Sequence, residues 1–111
     1  MKIIEKQVFW SNGEKKIVER ERLLNLHFLG EKNDLQFYKT SSFDTRYIGG
    51  ELIINFSKLN IAYSRKINSE FKKNVLYHSQ LNYKKNSNNI WEGFSYESEP
   101  ENNFCELRFI N

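Results

Sequence analysis

The residues able to do covalent or metal chemistry are few: Cys105, His27, His78, two aspartates and twelve glutamates. A thiol nucleophile needs an imidazole beside it and a third group to orient that imidazole. Neither histidine is near Cys105 in sequence. Cys105 instead shares parity with Leu107 and Phe109 and alternates with Glu106, the pattern of a core thiol. Zinc takes three or four ligands from His, Cys or carboxylate, and His27 and His78 form no spaced cluster. Glycoside-type chemistry needs two carboxylates facing each other across a cleft. Asp34 and Asp44 both fall in expected turns, and the glutamates mostly read as solvated strand faces. Glu92, between Trp91 and Gly93, shares the parity of Ile90 and Phe94. It reads as a barrel-rim carboxylate, with an inward, ligand-binding one as the alternative. The chain has no Gly-x-x-x-x-Gly-Lys or Gly-x-Gly-x-x-Gly phosphate loop, and Gly49-Gly50 reads as a bulge at a strand start. No catalytic residue, metal ligand or cofactor is nominated, and a non-enzymatic protein is expected.

Charge is more informative than any single reactive group. Residues 58–85 hold Lys58, Arg65, Lys66, Lys72, Lys73, Lys84 and Lys85 against Glu70 alone, whereas residues 86–111 hold five glutamates against Arg108. A basic middle next to an acidic tail suggests a charged ligand or partner. If 59–66 and 74–84 form a hairpin, Lys66, Lys72 and Lys73 gather at one end of it. Lys84 and Lys85 then lie roughly 35 Å away at the other. Nucleic-acid binding is not expected, because it favours one contiguous basic face with exposed aromatics.

The elements that would position these groups are strands. The chain has 111 residues, 39% hydrophobic and 15% aromatic, with a single proline, Pro100. That is one domain by length, 1–111, with enough apolar mass for a core. Period-2 alternation dominates. Ile48, Gly50, Leu52, Ile54 and Phe56 share one parity; Leu59, Ile61 and Tyr63 share the other, which implies a hairpin or bulge at Ser57-Lys58. Ile4, Val8 and Trp10 precede the turn signal Ser11-Asn12-Gly13. Eight strands are expected: 2–10, 15–29, 34–40, 46–56, 59–66, 74–84, 90–97 and 104–110. The segment 15–29 carries a helix as its alternative, because Ile17, Glu21, Leu24 and Phe28 also fit helical spacing ahead of Gly30. Short connections make an antiparallel meander, favoured to close as an up-and-down barrel over a two-sheet sandwich. The lone cysteine excludes an intrachain disulfide, and neither a signal peptide nor a membrane-length apolar run is visible. A cytoplasmic location in a bacterial or phage setting is expected.

The strand count, together with Ile90-Trp91-Glu92-Gly93-Phe94-Ser95-Tyr96, resembles the calycin-type barrels, the lipocalin and avidin-like folds, in which Trp-x-Gly-x-x-Tyr strands recur. The avidin-like first-strand Gly-x-Trp signature is absent at Phe9-Trp10, so no binding residues are carried over. The resemblance implies non-catalytic binding of a small molecule at the barrel mouth; compact bacterial barrels of this kind also sense nucleotide signals. Arg46, Tyr63, Arg65 and Trp91 are the expected contacts to a nucleotide or other small anionic ligand. The alternative is a protein-interaction module, such as a toxin-neutralising immunity protein or a phage-encoded inhibitor, with Lys72 and Lys73 facing the partner.

Overall fold

The computed structural model describes residues 1–11, 16–68, 76–95 and 103–110. Eight strands follow in order: β1 (Lys2–Ser11), β2 (Lys16–Lys32), β3 (Leu35–Ser41), β4 (Tyr47–Asn55), β5 (Asn60–Asn68), β6 (Leu76–Lys85), β7 (Ile90–Ser95) and β8 (Asn103–Ile110). Each pairs antiparallel with the next, and β8 pairs with β1, which closes the barrel. Among the described residues no helix is long and apolar enough to cross a membrane.

The segment open to a helical reading is strand. Leu24 and Leu26 are buried while Leu23 and His27 are exposed, so the burial period is two. Gly30, the candidate helix end, sits instead at a bulge where the β2–β3 register shifts between Phe28 and Gly30. Its φ of +157° is one that glycine adopts readily. A second register shift, between Tyr47 and Gly49, confirms the bulge expected at the glycine pair. Because that bulge switches faces, Tyr47 points inward and Ile48 outward, although Ile48 shares parity with Leu52 and Ile54. Phe56 and Leu59 leave the alternation because they lie in the β4–β5 turn, where Leu59 has a φ of +51°.

Two expected faces are reversed. In β1 the buried side chains are Ile3 and Glu5, while Ile4 and Val8 are half-buried. In β7 Trp91 and Gly93 are buried, and Ile90 and Glu92 are half-exposed. The partner strands decide both cases. Ile3 pairs with Leu24 and Phe109, and Trp91 pairs with Leu107, each partner lying on the inner face.

The core joins Ile3, Leu24, Leu52, Ile61, Leu81 and Leu107 to the rings of Tyr38, Tyr47, Tyr63, Tyr83 and Trp91. Burying each large apolar side chain stabilises the fold by roughly 1.5–3 kcal/mol. Glu5, Thr40, Arg65 and Ser79 are buried among them, and these polar groups begin the candidate site.

Candidate functional site

The β1–β2 hairpin sets Glu5 opposite Arg22. From β5, Tyr63 and Arg65 project across the interior towards the same carboxylate. Glu5 and Arg65 are each 2% exposed and are in direct ionic contact. Arg22 Nη1 lies 3.6 Å from Glu5 Oε1, and the Tyr63 hydroxyl donates to Glu5 Oε2 at 2.9 Å. The hydroxyls continue outward: Tyr63 to Tyr47 at 2.5 Å, then Tyr47 to Thr40 Oγ1 at 2.7 Å. An ionised carboxylate only accepts, and each hydroxyl has one proton. Tyr63 therefore gives its proton to Glu5 and accepts from Tyr47, which accepts from Thr40. Burial pushes the Tyr63 phenol well above its ordinary pKa and raises that of Tyr47. Both remain hydrogen-bond donors rather than bases.

Room for Arg65 comes from its neighbours. It pairs with Gly50 on β4 and Ser79 on β6, two small residues flanking one long one. A Cβ on Gly50 would come within 2.7 Å of Thr40 Oγ1, 2.8 Å of the Tyr47 hydroxyl and 2.5 Å of the Ser64 carbonyl oxygen. The hydroxyl chain and the β5 backbone occupy the space that any other residue would fill.

The barrel wall is thin beside Arg22. β3 pairs with Asn25–Lys32 of β2 and stops at Ser41, while β2 runs back to Lys16 against β1. The loop 42–46 lies over this stretch, and its Asp44 joins two arginines. Asp44 Oδ2 accepts from Arg22 Nε at 3.1 Å, Arg22 Nη2 at 3.0 Å and Arg46 Nη2 at 3.2 Å. Oδ1 accepts from the Arg46 amide at 3.0 Å and Arg46 Nε at 3.2 Å. Burial alone would raise the Asp44 pKa, but the Arg46 amide and the two guanidiniums outweigh it and hold the carboxyl at about 2. Arg22 is further steadied over the Tyr47 ring, 5.5 Å from its centroid. The Arg46 carbonyl accepts from the Asn68 amide at 2.8 Å, which ties the loop to β5.

Three of the four expected ligand contacts thus meet in one connected group. Tyr63 and Arg65 form its floor, and Arg46 forms its rim. Trp91 does not join it: it is buried edge-on to Phe109, 6.3 Å between centroids, with Lys85 Nζ 5.8 Å from its ring. Glu92 is half-exposed on the outer face, opposite Lys84 and Glu106, and does not point into the barrel as its parity with Ile90 allowed. Lys72 and Lys73 lie outside the described residues. Cys105 is a fully buried thiol beside Tyr83. His27 is exposed and lies 3.3 Å from Ser41 Oγ on the outer face. A shallow open depression of about 460 Å³ lies there, bordered by Lys2, Leu26, His27 and Phe43.

Sequence reasoning missed Glu5, Arg22, Thr40, Asp44 and Tyr47. A signal for the first pair was present: with Ser11 set against Lys16, antiparallel counting puts Glu5 opposite Arg22. Asp44, read only as a turn residue, gave no sign of the arginine that approaches from β2, because that contact is tertiary.

Among the described residues no three His, Cys, Asp or Glu side chains are placed to hold a metal ion. The arrangement presents cationic forks and protonated phenols, groups suited to holding an anion. No known protein family, curated protein or solved structure matches the chain.

Proposed function

We propose that this closed barrel is a non-enzymatic module that binds a small anionic ligand at its wall, on the Arg22–Arg46 pair. The observation that carries the reading is the convergence of two guanidiniums on one carboxylate, above a buried Glu5–Arg65 pair that fixes Arg22 from below. Guanidinium forks match carboxylate and phosphate oxygens, and a partly dry setting strengthens the contact. The eight-stranded meander supports a place among calycin-like barrels, whose members hold small molecules without transforming them. Here the centre is filled by Arg65, Tyr63, Tyr83 and Trp91, so the ligand sits at the wall and not in a deep calyx. Phe43, 87% exposed and next in the chain to Asp44, offers a ring face that favours a nucleotide over a bare anion.

Calorimetric titration at low salt with inorganic phosphate, acetate and a nucleoside monophosphate tests this. Saturable binding that disappears in Arg22→Gln and Arg46→Gln, with both variants folded, supports the reading. No heat and no amide shifts with any of the three anions overturns it. A second reading, a protein-interaction module of the immunity-protein or phage-inhibitor kind, draws support from exposed apolar side chains such as Leu29, Ile48 and Phe43. A stoichiometric protein partner seen by native mass spectrometry, with no anion bound, would favour it.

A further inference from the structure

Beyond the anion site, we propose that the open edge of β2 takes up an extended, basic peptide segment as an added strand. β1 pairs with β2 back to Lys16, whereas β3 pairs with it only from Asn25 to Lys32. Among the described residues the stretch 16–24 is therefore bonded on one side and open on the other.

One contact fixes which way the backbone groups point. The Leu26 amide donates to the Met1 carbonyl at 2.8 Å, so the even-numbered residues of this stretch of β2 aim their N–H and C=O at β1. The odd-numbered Ile17, Glu19, Glu21 and Leu23 aim theirs the other way. Among the described residues none of the four has a backbone partner on that side. The loop 42–46 supplies none, because its Asp44 carbonyl accepts from the Tyr47 amide and its Arg46 carbonyl from the Asn68 amide. Each of the four residues offers one donor and one acceptor, repeating at roughly 7 Å along the strand. An extended chain needs that row of groups to add to a sheet.

The side chains on this edge select the occupant. Glu19, Glu21 and Leu23 are all exposed. Lys6 stands on their β1 side, opposite Glu21 and with its Nζ 3.9 Å from Glu19 Oε1. A strand carrying lysine or arginine at alternate positions would set a cation beside each carboxylate from the open side, and opposite charges across a strand pair are favourable. A second copy of this chain fits poorly. Any two-fold antiparallel pairing of β2 with itself that engages at least three of the four residues sets a glutamate directly against a glutamate. Like charges so placed are destabilising, and charged edge residues guard against self-pairing.

Amide hydrogen exchange of the full chain, with and without an acetylated octapeptide of alternating lysine and valine, is the test. In the free protein the Glu19 and Glu21 amides should exchange at least about tenfold faster than those of Arg20 and Arg22, which face β1. Equal protection would mean that the edge is already covered, and the proposal falls. Saturating peptide should slow Glu19, Glu21 and Leu23 at least about tenfold and leave Arg20 and Arg22 unchanged. An edge that is open in the free protein yet gains no protection from the peptide takes no strand, which also overturns the proposal. A peptide alternating glutamate and valine should bind at least about tenfold more weakly, and Glu19→Lys combined with Glu21→Lys should reverse that order. Equal affinity for the two peptides would overturn the basic preference. Protection of Glu19 and Glu21 that grows with protein concentration, without peptide, would assign the edge to a second copy instead. None of these readouts requires an anion at Arg22 and Arg46, so the two proposals stand or fall separately.

Discussion

Removing one member of a buried ion pair leaves the other charged, dry and uncompensated, which costs more than the pair itself contributes. Glu5 is in that position, since it is the carboxylate that Arg65, Arg22 and Tyr63 all address. Glu5→Gln is expected to lower unfolding free energy by about 3–5 kcal/mol, measured by chemical denaturation. Exchanging Glu5 and Arg65 together for Leu and Met should cost far less, because no charge is stranded. A double variant as unstable as Glu5→Gln would show that the pair does more than cancel charge. Asp44 makes a separate, pH-dependent contribution. Its folded pKa of about 2 lies below the ordinary 3.8, so the stabilisation is complete above about pH 4 and is lost as pH falls through 2. Solvent screening of this partly hydrated carboxylate holds the contribution to about 1 kcal/mol at neutral pH, and acid titrations of Asp44→Asn should lack that part of the slope. Tyr83 shows the opposite sign. Burial raises its phenol well above 10, so the folded state loses stability above pH 10, as the unfolded chain ionises first. Among the described residues its hydroxyl has no nitrogen or oxygen partner, and its bond is to the weakly accepting Cys105 thiol. Tyr83→Phe should therefore be neutral to within about 1 kcal/mol and should flatten the alkaline limb of thermal stability.

Strands, and not individual residues, were what the sequence announced most clearly. Alternation at Leu52 and Ile54, and at Ile61 and Tyr63, located β4 and β5 and the turn between them, because each stretch has one dry face. The glycine pair marked the β4 bulge for the same local reason. Faces were misread in β1 and β7, where apolar residues stand on both parities; Ile3 and Ile4 are indistinguishable until β8 supplies Phe109 as a partner. The candidate site was legible in part. Tyr63 and Arg65 sit on a strand whose alternation marks its inner face, and Arg46 is a basic residue near a strand end. Glu5, Thr40 and Tyr47 needed cross-barrel geometry that no local pattern encodes. Element geometry also sets the consequence of filling the gap at Gly50. Gly50→Ala must displace the Ser64 carbonyl or break the Thr40–Tyr47 hydroxyl pair. A loss of about 1–3 kcal/mol is expected, accompanied by shifted Tyr47 and Tyr63 ring signals in NMR spectra. An unshifted Tyr63 would mean that the strand moves and not the hydroxyls.

At the scale of the molecule, the barrel is a ring of hairpins with a polar spine, and the spine reaches the stretch of β2 that β3 leaves unpaired. The ring is completed by β1 and β8, with Lys2 opposite Ile110 and Val8 opposite Phe104. Every other strand pair joins sequence neighbours, whereas this seam joins the first strand to the eighth. Its assembly carries the largest loop-closure entropy in the fold, so it should form last and limit the folding rate. The same seam places Lys2 and Ile110 within reach of a short linker. A circular permutant joined there, with new ends cut in the Phe56–Leu59 turn, would turn the seam into an ordinary hairpin, and the slowest step of assembly should then pass to the β4–β5 pair.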